Sequence, residues 1–266
     1  MVASAHASQE FWHASPEVNA LYTEGLRAAG YATFATPRTG NRPDGLLTAV
    51  RMEDFDVVDQ RDILFNDCGD RVATLLHLRP KSGGVSGASA LGDMLLVNTH
   101  LLFPHNSNST LIRLRESFKI LEYLHEYQER MVGEEVEGSG GRRRLPVVMC
   151  GDFNGTIRGS VSRFLQSQGF VSAFEVGGAG CRVPLDDTDP DADADACADT
   201  HDLSSYEESL PASSTASAQS QAQRRGKVLS SSRWISHLNH HGECVGVDHV
   251  WAGGATHPSP APSTVS

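Results

Sequence analysis

The sequence predicts an α/β fold, on three observations. Short apolar runs rich in β-branched residues recur along the chain. Segments with helical periodicity separate them, and Gly, Pro and Asp mark the turns between the two kinds. In chain order, Ser15, Pro16 and Glu17 supply an N-cap, a proline at the first helical position and an acid in the first turn. A helix is therefore expected from there to about Ala29, stopped by Gly30. Residues 31–37 read as a short strand. Asp44 and Gly45 turn the chain into a second strand at 46–50. Residues 72–78 and 94–101 are apolar enough to be buried strands, with a Gly/Ser-rich loop at 81–90 between them. From Thr110 to about Met131, Leu111, Leu114, Phe118, Leu121, Tyr123, Leu124 and Tyr127 recur at helical spacing. Residues 133–144 are rich in Glu and Gly and end in Arg142, Arg143 and Arg144, a solvated loop. A buried strand at 145–150 runs straight into Gly151, Asp152, Phe153 and Asn154, and 161–168 form a short helix. Trp12, Phe118 and Trp234 are expected in the core.

Composition sets the outer limits. The 266 residues suffice for one large domain or two small ones, and 39% hydrophobic with 21% charged residues excludes a chain disordered throughout. No apolar run is long enough to span a bilayer, and residues 1–9 lack the basic and apolar regions of a secretory signal. Cys68, Cys150, Cys181, Cys197 and Cys244 are scattered and form no C-x-x-C pair. Neither a disulfide framework nor a thiolate zinc site is implied, and an intracellular, cytoplasmic or nuclear, location is the expectation. His237, His240 and His241 near Cys244 lack a second ligand pair, so surface histidines are expected there rather than zinc.

The net charge of −11 is local. Residues 185–208 hold ten Asp and Glu and no Lys or Arg, which leaves the remainder of the chain nearly neutral and argues against strong non-specific DNA binding. From about 184 to 232 the chain is acidic, then rich in Ser, Ala and Gln. It has too few apolar residues to offset ordering entropy, and a disordered insert is expected. Asp191, Asp193, Asp195, Asp199 and Asp202 fall at calcium-loop positions 1, 3, 5, 9 and 12. Ala196 stands where that loop needs glycine, however, and no amphipathic helix flanks it, so an acidic linker is preferred to a calcium site. Residues 1–183 and 233–252 then form two parts of one domain, and 253–266 a loose tail.

Four segments place chemically capable side chains beside apolar strands: Gln9–Glu10–Phe11, Thr99–His100–Leu101, Gly151–Asp152–Phe153–Asn154 and Val247–Asp248–His249. Polar residues at strand ends converge on one sheet edge, where sites are built. Carboxylates, an imidazole and an amide together suit a hard divalent ion and a phosphate. Taken with Ile112–Arg113–Leu114 and Asp44–Gly45–Leu46, these motifs resemble those of the endonuclease/exonuclease/phosphatase superfamily, in the branch with nocturnin and the deadenylases. Plant members carrying EF-hands look especially similar around 44–50 and 66–76. The resemblance covers roughly 9–178 and 233–252.

It implies a four-layered α/β sandwich of the DNase-like fold and a metal-dependent phosphodiesterase or nuclease. The cofactor would be Mg²⁺, with Mn²⁺ as alternative, and the substrate nucleic acid or a small phosphoester. By the same resemblance Glu10 matches the metal-binding Glu and His100 the phosphate-contacting His. Asp152 matches the Asp that orients or deprotonates the attacking water, and Asn154 the phosphate-binding or metal-side Asn. Asp248 matches either an Asp that orients a catalytic His, with His249 in an aromatic slot, or the Asp of a terminal catalytic Asp-His pair; the flanking valines and Trp251 favour the first. The family's early metal-site Asn strand and its terminal Ser-Asp-His strand have no match, so the expectation is a member cut at both ends. A catalytically incomplete chain that binds phosphates, nucleic acid or a protein partner without turnover is the alternative.

Overall fold

The computed structural model describes residues 4–82, 92–134, 144–173, 237–238, 244–245 and 248–253. The elements are, in order, β1 (Ala5–Phe11), α1 (Pro16–Ala28), β2 (Tyr31–Pro37), β3 (Gly45–Arg51), β4 (Phe55–Leu64), β5 (Val72–Pro80), β6 (Met94–His100), α2 (Ser109–Glu134), β7 (Val147–Asp152), α3 (Ser160–Ser167), β8 (Phe170–Ser172), β9 (His237–Leu238), β10 (Cys244–Val245) and β11 (Asp248–Gly253). Three strands pair in the order β1-β3-β2 and six in the order β4-β5-β6-β7-β11-β8, while β9 and β10 pair with each other.

The layers follow from alternation along the central strands. On β6, Leu95 and Val97 face α2 and α3 and join a core with Leu75, Ile120, Leu124, Phe153, Leu165 and Trp251. Leu96, on the other face, packs with Leu76, Leu78, Val50 and Phe34 between the two sheets. With α1 outside β2, the order is α1, three-stranded sheet, six-stranded sheet, α2 with α3: a four-layered α/β sandwich. Strands β5 and β6 are covered on both faces, which is why they read as continuous apolar runs. No helix among the described residues is long and apolar enough to cross a membrane.

Asn98 joins the sheets. Fully buried on β6, it accepts a hydrogen bond from Gln9 Nε2 at 2.7 Å and donates to Thr48 Oγ1 at 3.2 Å and Ser8 O at 3.3 Å.

The capped helix at Ser15 and the strands at 31–37, 46–50, 72–78, 94–101 and 145–150 are observed to within about two residues. The two-residue strands β9 and β10 are not legible in the sequence, nor are β1, β4 and β8. Strand β4 carries charged or polar residues at 56 and throughout 59–62, with no regular alternation, and lies at a sheet edge, where charges discourage pairing with another chain. Strand β8 has three residues, and β1 carries only small and polar residues before Phe11.

Two expected core residues are corrected. Trp12 is 54% exposed and Phe118 55%. Phe11 takes the inward position at the end of β1, so Trp12 turns outward. The inward face of α2 runs through Arg113, Ser117, Ile120, Leu124 and Tyr127, and this phase puts Leu111 and Phe118, seven residues apart, on the solvent side. The acidic and Ser-rich insert, the Asp191–Asp202 pattern, most of the 81–90 loop, Arg142, Arg143, Trp234, His240, His241 and the tail beyond Gly253 lie outside the described residues, as do the side chains of His237 and Cys244.

Candidate active site

Strand direction assembles the site. Strands β6 and β7 are parallel, so their C-terminal ends coincide and His100 pairs with Asp152. Strand β11 is antiparallel to β7, so its first residue, Asp248, also pairs with Asp152. Strand β5 is antiparallel to β6 with Ala73 opposite Thr99, so Arg71, just before β5, arrives beside His100. Four residues from four segments thus form a row along one end of the six-stranded sheet. Glu10 comes from the other sheet, through an irregularity in β1 between Ser8 and Phe11. It is exposed, and its backbone is left-handed at φ 55°.

The turn after β7 is specified residue by residue. Gly151 has φ 141°, and a Cβ there would lie 1.9 Å from Thr99 O, so only glycine lets β7 approach β6 this closely. Phe153 is buried edge-on against His249 and Trp251 and pins the turn to the core. Asn154, at φ 49°, donates its backbone N–H to Asp152 Oδ1 at 2.8 Å and its side-chain Nδ2 to Leu101 O at 2.8 Å. One amide hydrogen of Asn154 is thus committed to the His100 loop, and one remains. That loop is held from α2 as well: Leu102 N–H donates to Glu116 Oε2 at 2.9 Å, and Arg113 Nη1 donates to Leu102 O at 3.3 Å.

The electrostatics separate the roles. Burial first, then the negative charges of Asp248 and Glu10, push the Asp152 carboxyl up to about 6, against the Asn154 N–H and Arg71. Burial and the neighbouring guanidiniums of Arg71 and Arg38 push His100 down to about 3, so its imidazole is neutral. His100 Nε2 lies 3.6 Å from Asp152 Oδ2, too far for a hydrogen bond; with the ring neutral, this contact is not an ion pair either. Its other nitrogen, Nδ1, is 3.0 Å from Arg71 Nη1. Burial also raises the Glu116 carboxyl to about 7.

Asp248 and His249 lie on opposite faces of β11. His249 is buried on the helix side, 2.9 Å from Gly155 O, away from the row that holds Asp248. Arg71 is the residue that sequence reading misses. It is a lone arginine in a turn-like segment with no motif around it, and only the register of β5 against β6 brings it to the site. Beside it, Arg38 bridges Asp44 at 3.0 Å and Asp70 at 2.6 Å, and Asp70 also holds Arg42 at 2.6 Å. Arg38, Gly45, Leu46, Arg71, Val72 and His100 line a small cleft.

Asp152 and Asp248 in the row, with Glu10 from the other sheet, supply the carboxylate oxygens that suit a hard divalent ion. The repulsion that Glu10 and Asp248 exert on Asp152 is the kind a bound cation relieves. Among the described residues no three His, Cys, Asp or Glu side chains form a closed cage. An ion that keeps its waters and uses one or two carboxylates fits this arrangement.

The chain is 35% identical over 248 residues to an uncharacterized calcium-binding protein of Arabidopsis thaliana, covering 91% of this chain and 39% of that protein. It is 28% identical over 144 residues to carbon catabolite repressor protein 4 homolog 3 of the same plant, 53% of this chain and 28% of that protein. The chain thus spans 39% or less of the length of these curated relatives. Among solved structures it is similar to the human nocturnin catalytic domain with bound sulfate. The TM-score is 0.55 at 15% identity, over 94% of this chain and 69% of that one. It is also similar to ANGEL2, a 2',3'-cyclic phosphatase, in complex with adenosine-2',3'-vanadate, with TM-score 0.56 at 19% identity over 94% and 70% of the two chains. At these identities the structural likeness is one of fold. No protein-family model matches the chain.

Proposed function

The chain belongs to the endonuclease/exonuclease/phosphatase superfamily, and on that premise we propose that it is a divalent-metal-dependent phosphoester hydrolase, specifically a phosphodiesterase of the nuclease type. The observation that carries the reading is the row His100–Asp152–Asp248 across three adjacent strands, with Glu10 facing it from the second sheet.

In this reading Asp152 aligns the attacking water and accepts its proton. A carboxyl titrating at about 6 is largely ionised at neutral pH, yet more basic than an ordinary aspartate. Its Oδ1 is fixed by the Asn154 N–H, so Oδ2 is the oxygen that takes the proton. His100 and the remaining amide hydrogen of Asn154 donate to the phosphoryl oxygens as charge builds on them. Glu10 would hold the metal, and Mg²⁺ bound there would supply Lewis-acid polarisation of the phosphoryl group. Asp248 is an acceptor for an orienting contact to an imidazole. His249, directed to the opposite face, is not that imidazole.

Hydrolysis of bis-p-nitrophenyl phosphate tests the proposal. Turnover is expected with Mg²⁺, to be lost in EDTA and restored by added Mg²⁺. Asp152→Ala is expected to lower kcat by roughly 10²–10⁴-fold, the usual contribution of a positioned general base. Turnover that survives Asp152→Ala sinks the assignment. Phosphate binding without any turnover would support the non-catalytic alternative.

A further inference from the structure

We propose that Arg71 is a positioning residue that fixes His100 in the Nε2–H tautomer, so that the ring presents a hydrogen-bond donor, and not a lone pair, toward Asp152 and the substrate. The argument is one of donor count. A guanidinium has donors only and stays protonated in proteins. Arg71 Nη1 lies 3.0 Å from His100 Nδ1, with both side chains buried. For that contact to be a hydrogen bond, Nδ1 must be the acceptor. A neutral imidazole carries one N–H, which is then on Nε2. The opposite tautomer would set two N–H groups against each other, away from water. A charged ring would have the same clash and would also place two positive charges side by side.

The framework holds both partners in register. Phe65 N–H donates to Arg71 O at 3.4 Å, and Thr99 Oγ1 donates to Val72 O at 3.2 Å, which ties the start of β5 to the end of β6. The N–H is then on the ring nitrogen that lies 3.6 Å from Asp152 Oδ2, while Nδ1 is the nitrogen that faces Arg71. That the donor's target is a phosphoryl oxygen rests on the hydrolase reading above; the tautomer itself does not. His100 acts in this scheme as a neutral donor and transfers no proton.

Long-range ¹H–¹⁵N correlation spectra of the uniformly labelled full chain at pH 7.5 test the proposal, with the His100 signals identified by their loss in His100→Gln. A protonated Nε2 and an unprotonated Nδ1 are expected. Arg71→Gln keeps an amide donor for Nδ1 and is expected to keep the tautomer. Arg71→Glu presents only acceptor oxygens and is expected to move the hydrogen to Nδ1, with kcat about tenfold or more below that of Arg71→Gln and KM little changed. If Arg71→Glu does not fold, Arg71→Met removes the donor without charge reversal and is expected to give a mixture of tautomers. An Nδ1–H ring in the unsubstituted chain, or an unchanged tautomer in a folded Arg71→Glu or Arg71→Met, overturns the proposal. Because the spectra need no turnover, the tautomer assignment and the hydrolase reading fail separately.

Discussion

Asp152 carries a cost that its chemistry explains. Its folded-state pKa of about 6 lies above the 3.8 of an unperturbed aspartate, so the fold favours the neutral carboxyl. The carboxylate therefore destabilises the protein above about pH 6, and this penalty fades as pH falls through 6 toward 3.8. Asp152→Asn keeps an acceptor for the Asn154 N–H and has no charge to bury. It is expected to be more stable than the parent by about 1–2 kcal/mol at pH 8, after discounting for partial exposure, and equally stable below pH 4. Thermal melts across that range check this; no difference at pH 8 would mean the carboxylate is better solvated than its burial indicates. Glu116 repeats the pattern. Its pKa of about 7 implies that Glu116→Gln gains stability above pH 7 and that the gain vanishes below 4.5. Since Gln can still accept from Leu102 N–H, the His100 loop should keep its position and activity should change little. His100 has the opposite sign. Pushed down to about 3, it stays neutral in the fold while the unfolded ring takes up a proton, so it costs stability as pH falls from 6.5 toward 3.

At the scale of the element, the turn after β7 shows how a strand end becomes a site. Gly151 supplies close approach, Phe153 an anchor and Asn154 a left-handed cap, and the three together aim Asp152. Gly151→Ala is expected to cost about 3 kcal/mol or more, because the added methyl meets backbone on β6 and cannot be accommodated by a side-chain rotation. Urea unfolding gives the number, and a cost below about 1 kcal/mol would contradict the backbone geometry described. Helix α2 does a second positioning task. Its first two turns bury Arg113 and Glu116 in place of apolar residues, and those side chains grip the N–H and C=O of Leu102 just beyond His100. Its later turns bury Ile120, Leu124 and Tyr127 and hold the helix on the sheet. One helix therefore combines a polar, site-supporting half with an apolar, stabilising half.

At the scale of the whole molecule, the site exists only because two sheets face each other. Glu10 and the His100–Asp152–Asp248 row belong to different sheets, and Asn98 bridges those sheets, as does Thr36 on β2 through its contacts with Thr74 on β5 and Asp62 on β4. Asn98→Ala leaves Gln9, Thr48 and the Ser8 carbonyl without this partner. It is expected to cost about 2–3 kcal/mol and to weaken metal-dependent turnover by shifting Glu10 relative to Asp152. A loss of stability with unchanged activation by Mg²⁺ would separate the sheet offset from the metal site.

The sequence by itself determined the layered class, most central strands, both longer helices and the identity of the chemically capable residues. Those features are written locally: caps at Ser15 and Pro16, continuous apolar runs where a strand is covered on both faces, and Gly-Asp-Phe-Asn at a strand end. Tertiary structure alone decided the edge strand β4, whose charges hide it, and the outward phase of Phe118, which depends on which side of α2 meets the sheet. It also decided which of Asp248 and His249 faces the site, and the place of Arg71 beside His100. These are matters of register and direction between segments distant in sequence. A one-residue change of register exchanges the two faces of a strand, and no local pattern records that choice.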